Sequence, residues 1–259
     1  MRASIVITGS ALIALAVAGC TAGPDEPAVT TPSAAAGTTF ESLGIADWPA
    51  DAELLDGVPA PPAELDAATY DRVTAAIAQI AELAARDEEL RDLDDPLPEL
   101  ASRLQDPFAR LVPLVAEQET APRVTFLNYF GSGTEITAGP LMQHVWDVRP
   151  AADRAGTTIT LQTWAAYEVT GDEGSGVIGV FREFNRTEAD DGFTGATWET
   201  AGADTCALAV DDAIELDPRA EQLALLEAFA LEGEQHTFAV REVDDSINEE
   251  FKAACLDEG

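Results

Sequence analysis

The chain has 259 residues, with 48 Asp and Glu against 14 Lys and Arg, and a net charge of −34 at neutral pH. That balance excludes nucleic acid as a partner, because phosphates are repelled and counterion release needs clustered cations. It equally excludes a polybasic contact with a membrane surface, and a length of this order with 46% apolar residues allows one or two domains with a proper core.

The chain opens with Met1-Arg2 and an apolar run, Ile5-Val6-Ile7 and then Ala11 to Val17, interrupted by Thr8, Gly9 and Ser10. A positive start, a short hydrophobic core and small residues before a cut describe an export signal. The run is too short for a comfortable membrane span. Val17-Ala18-Gly19-Cys20 completes it and resembles the lipobox of bacterial lipoproteins, a resemblance confined to residues 1–20. It implies that residues 1–19 are a signal peptide, that the Cys20 thiol receives a diacylglyceryl group, and that the cut falls just before Cys20. The protein would then sit on the outer face of the cell membrane, held by lipid. An ordinary secretory signal with a chance cysteine is the alternative. Removing the leader, whose one ionised side chain is Arg2, lowers the net charge by one, to −35.

Residues 20–45 are rich in Thr, Ala, Pro and Gly without hydrophobic periodicity, and read as a flexible tether. Residues 46–259 read as a single α+β domain, helical over 46–120, with a sheet and C-terminal helices over 121–259. After an irregular lead-in with Trp48 and Pro59, Pro61 and Pro62, Asp66 caps a long helix running to about Leu93. Tyr70, Val73, Ile77, Ile80 and Ala84 share its apolar face. A second helical stretch over 98–118 carries Leu100, Leu104, Leu111 and Val115, and Pro107 and Pro113 must break or kink it. The two stretches form an antiparallel helical pair.

From Arg123 the chain turns to Thr, Val, Ile and aromatic residues punctuated by glycine. Strands are expected at 123–130, 141–149, 158–169, 176–186 and 193–200, joined as antiparallel hairpins. Asp217-Pro218 then opens a helix that Gly233 stops. A strand at 236–243 follows, and Ser246-Ile247-Asn248-Glu249 is a capping box for a last helix carrying Ile247, Phe251 and Cys255 on one face. The expected fold is therefore a helical pair packed on a curved antiparallel sheet, with C-terminal helices. The layout loosely resembles cystatin-like and NTF2-like folds, with no motif to fix a family.

Cys206 and Cys255 are the cysteines besides Cys20, and an even pair in an exported domain suggests a disulfide. Gly174-Ser175-Gly176-Val177-Ile178-Gly179 formally matches a dinucleotide fingerprint, but a strand follows it where a helix is required. No motif points to a metal, a cofactor or a catalytic nucleophile. Strand alternation places Met142, His144, Trp146 and Val148 on one face, and Trp164 with Thr158, Thr160, Gln162 and Glu168 on one face of the next strand. A large aromatic among polar neighbours suggests a half-open pocket, with Trp164, Trp146, His144 and Gln162 as candidate ligand-binding residues. The leading expectation is a lipid-anchored, non-enzymatic module binding an envelope protein, a glycan or a small ligand. The alternative is an envelope hydrolase acting on cell-wall glycan through carboxylates such as Glu135, Glu168 and Glu183.

Overall fold

The computed structural model describes residues 8–9, 37–117, 121–152, 155–172, 174–189, 192–217, 220–235, 238 and 249–258. Cys20, the strand expected at 236–243 and the capping box at Ser246 lie outside the described residues. The expected class holds: helices pack on a four-stranded antiparallel sheet, with further helices at the C-terminal end.

The helical layer begins at α1 (Ala67–Arg86), where the Asp66 side chain accepts the Thr69 amide at 2.9 Å. All five residues of the apolar stripe, Tyr70 to Ala84, are buried. The helix does not run on to Leu93. Asp87 closes α1, and its carboxylate caps α2 (Glu88–Arg91) by accepting from the Leu90 amide. An acid that can satisfy a new helix start thus divides one periodic stretch into two elements. The second stretch divides at Pro107 into α3 (Leu97–Arg103) and α4 (Phe108–Ala116), while Pro113 stays inside α4 on its exposed side.

The strand expected at 123–130 is instead a short helix, α5 (Pro122–Phe126). Pro122 supplies a pre-set first helical residue. The remote Asp212 carboxylate accepts the amides of Arg123 and Val124 at 2.8 and 3.0 Å. Extended pairing survives only as a bridge between Phe130 and Ile214.

The sheet is a meander of β2 (Thr134–Pro150), β3 (Thr157–Gly171), β4 (Gly174–Glu188) and β5 (Phe193–Ala201). A two-residue β1 (Thr8–Gly9) lies parallel to the outer edge of β5. Register shifts at Ala138 bend β2. There Gly139 has φ +104°, and a Cβ would fall 2.6 Å from the Ala166 carbonyl, so no other residue fits.

The sheet is covered on both faces. Toward the helical layer it buries Met142, Trp146, Leu161, Tyr167, Ile178, Val180, Phe184 and Trp198 in one core with α1, α3, α4 and α5. The second face buries Trp164, Ala166, Val177, Phe181 and Ala201 against α7 (Ala220–Gln235) and against Phe40, Ile45 and Trp48. Residues 37–45, read as part of the tether, are thus packed against the sheet. The Gly37 amide donates to the Ser175 carbonyl, and the Phe40 amide to Glu168 Oε1, both at 2.9 Å. Isolated Phe40 and Ile45 carry no periodic signal, so composition alone assigned them to the tether.

Gly233 does not stop α7 but lies within it, where a Cβ would meet the Trp48 ring at 2.3 Å. A helix α6 (Thr205–Asp211), unforeseen in the sequence, is capped by Asp204, which accepts from the amides of Cys206 and Ala207. Cys206 of α6 is bonded to Cys255 of α8 (Glu249–Glu258), with their Cα atoms 5.5 Å apart.

Candidate functional site

The register decides which of the candidate residues can meet. Trp164 pairs with Gln143, and His144 with Thr163, so His144 and Trp146 lie on the helix-facing side while Trp164 and Gln162 lie on the other. The pocket expected to combine them does not form. Trp164 is 0% exposed and meets the Phe181 ring edge-on at 5.3 Å, which makes it core. Its indole N–H is buried and faces the Glu232 carboxyl. Burial raises that carboxyl, with Trp164 opposing the rise. Trp146 is also buried, its Nε1 donating to the Leu54 carbonyl at 2.7 Å. His144 Nε2 lies 3.0 Å from the Asp56 carbonyl. These two residues fasten the lead-in along the edge of β2, where the Met142 amide also donates to the Pro49 carbonyl.

Trp164 stands at a boundary. On one side of it along the strands, the second face is dry: Ala166, Gly179 and Ala201 share a row beneath α7. On the other side the rows turn polar. Val145, Gln162, Glu183 and Thr197 form one row, and Asp147, Thr160, Asn185 and Gly195 the next. Glu183 is the centre of this half-face. Gln162 Nε2 donates to one of its carboxylate oxygens at 2.8 Å and Asn185 Nδ2 to the other at 3.1 Å. Gln162 and Thr160 are buried, while Glu183, Asn185, Thr197 and Asp147 keep partial exposure.

Among the described residues no cation pairs with Glu183. Asp147 has its ion pair with Arg149 at 3.5 Å, and Arg149 in turn lies over the Phe238 ring. Gly195 leaves the row beyond Asn185 without a side chain. A carboxylate oriented by two amides is a fixed acceptor, fit for hydroxyl or ammonium groups. Of the four expected site residues, Gln162 alone belongs to this network. A signal for it was present in the alternation of Thr160 with Gln162 and of Glu183 with Asn185, although the pairing that joins them is not visible in one sequence.

Of the carboxylates named for hydrolysis, Glu183 is held apart from the other two. Glu168 serves the Phe40 amide and sits six residues along β3 from Gln162, the partner of Glu183, about 20 Å at strand spacing. Glu135 pairs with Thr170, two residues from Glu168, so these two are diagonal neighbours at the turn end, but Glu135 is exposed and Glu168 is taken up by the Phe40 amide. Paired glycosidase acids lie within about 10 Å of each other.

Arg182, at 2% exposure, is a buried charge with a structural role. Its guanidinium donates to Asn128 Oδ1 at 2.6 Å and to the carbonyls of Thr125, Val124 and Leu127 at the end of α5. Asn128 continues to the Tyr167 hydroxyl, which donates to the Ala85 carbonyl at the end of α1. Burial pushes Arg182 down to about 9, with Tyr167 acting against that fall, so it stays cationic at neutral pH. Among the described residues no group of three His, Cys, Asp or Glu side chains is placed to hold a metal ion.

No family model, curated protein or solved structure matches this chain. The functional reading therefore rests on its own residues.

Proposed function

We propose that this chain is an exported, lipid-anchored binding module of the cell envelope, and that its ligand seat is the polar half-face around Glu183. The observation that carries the binding reading is the Glu183 carboxylate, half-buried, oriented by Gln162 and Asn185 and lacking a cation among the described residues. An oriented acid without a counterion is an incomplete arrangement that a ligand's ammonium or hydroxyl groups would complete. The thiol of Cys20 provides the anchor, since two or more acyl chains hold a protein to a bilayer far more firmly than one.

The test uses the mature domain as bait in solubilised envelope, beside a Glu183→Gln variant of unchanged melting temperature. A glycan or protein captured by the parent and lost from the variant supports the seat. Equal capture by both places the binding surface elsewhere. Fractionation of Cys20→Ser tests the anchor: the variant is expected in the soluble fraction, and a variant that still pellets with membranes after a high-salt wash removes the lipoprotein reading.

A further inference from the structure

We propose that the anchored domain stands with the turn between β3 and β4 toward the bilayer, presenting the polar half-face to the aqueous, wall-facing side. This rests on the lipid-anchor reading and goes beyond it, since an anchor alone sets no orientation. The exit point of the N-terminal chain is fixed. Gly37 is bonded to Ser175, the second residue of β4, and Phe40 is bonded to Glu168 and buried in the second-face core. The chain from Cys20 therefore meets the domain at the end of the sheet that carries the β3–β4 turn.

The polar rows lie at the other end. Glu183 is eight residues along β4 from Ser175, about 27 Å at strand spacing, and Thr187 is about 40 Å away. Residues 21–36 span at most about 55 Å at full extension, which bounds how far the turn can stand from the lipid. Attachment at the turn holds that end nearer the lipid, and the Glu183 seat stands about 27 Å farther along the sheet. Charge discourages the domain from lying flat. The mature chain carries −35, so anionic headgroups repel the body of the domain over a Debye length of about 8 Å. The ligand that fits this placement is one borne by the wall or dissolved in the aqueous layer. A lipid headgroup does not fit it.

The lipid-bearing protein is reconstituted into vesicles of phosphatidylethanolamine and phosphatidylglycerol carrying a headgroup acceptor dye. A donor dye is placed on an engineered thiol at one of two exposed positions, Ser175→Cys at the turn or Ala155→Cys at the far end. Cys206 and Cys255 are bonded to each other and do not compete for the label. Flotation reports anchoring, and energy transfer reports orientation. The expected result is flotation of both variants, with transfer severalfold stronger from position 175 than from position 155. Flotation with equal transfer, or with stronger transfer from position 155, overturns the orientation while leaving the anchor standing. Failure of both variants to float overturns the anchor and the orientation with it.

Discussion

Arg182 places a positive charge where water does not reach, at 2% exposure, and no carboxylate among the described residues answers it. What answers it is the end of a helix. The carbonyls of Val124, Thr125 and Leu127 have no helical partner of their own, and together they present partial negative charge to the guanidinium. Removing the side chain strands those carbonyls and Asn128 Oδ1 in a dry interior, at a cost of about 1–3 kcal/mol each where no water enters. Arg182→Met is therefore expected to lower unfolding free energy by at least about 3 kcal/mol in urea titration. Arg182→Lys should recover little of it, because a point charge cannot span four acceptors. A loss under about 1 kcal/mol for Arg182→Met would show that solvent or rearrangement satisfies the carbonyls. None of this network was legible in the sequence, since Asn128, Tyr167 and Arg182 meet only through tertiary pairing. Asp66 as a cap and Cys206 with Cys255 as a pair were legible, because capping is local and cysteine arithmetic needs no geometry. Trp164 was misread for a physical reason: its strand neighbours are polar, and the groups that bury it, Phe40, Trp48 and Phe229, come from distant parts of the chain.

The hairpins were the most legible elements, because alternation and glycine turns are local and the register then follows. The β3 and β4 strands run a residue or two beyond their expected ends at both sides. The errors fell where a remote group decides. Residues 123–130 have the Val, Thr and aromatic content of a strand, yet Pro122 and the Asp212 cap make α5. Gly233 reads as a stop, yet its lack of a Cβ is what lets α7 approach Trp48. The last element is α8, which carries Cys255. It is pinned to α6, the element with which it has its main packing. A helix of ten residues is marginal on its own, so the Cys206–Cys255 bond is expected to determine whether α8 stays in place. The bond closes a separation of 49 residues, for which the loop-entropy account allows about 4 kcal/mol as an upper figure. Cys255→Ser is expected to abolish amide-exchange protection over 249–258 while the strands β2 to β5 keep theirs. Retained protection in α8 would mean that packing alone holds it, and loss throughout the sheet would mean that the bond supports the whole domain.

At the scale of the molecule, acidity is the dominant fact. A net charge of −34 acts against the compact state through self-repulsion, and the carboxyls that folding partly desolvates add to that. Burial raises Asp212, opposed by the bonds it accepts from Val124 and Arg123. Burial also raises Glu215, with further upward pressure from Asp211, Asp204 and Asp172, and it raises Glu232. The direction of the pH effect follows from linkage. A carboxyl whose folded pKa exceeds its unfolded value binds more protons in the folded state across the interval between the two values. Stability then falls as pH rises through that interval and is regained as pH falls back through it. Protonation of surface carboxyls works in the same direction, because it lowers the net repulsion. The domain is therefore expected to melt at a higher temperature at about pH 5 than at about pH 8, until further acid titrates the carboxylates that are paired with arginine, such as Asp87 with Arg103. Salt separates the two contributions. Repulsion among exposed charges is screened at high ionic strength, whereas desolvation of Asp212, Glu215 and Glu232 is not. Thermal melts across that pH range at about 0.01 M and about 1 M salt should show a gain on acidification that shrinks in high salt without vanishing. A melting temperature that falls steadily from about pH 8 to about pH 5 at both ionic strengths would mean that paired carboxylates outweigh repulsion and burial together.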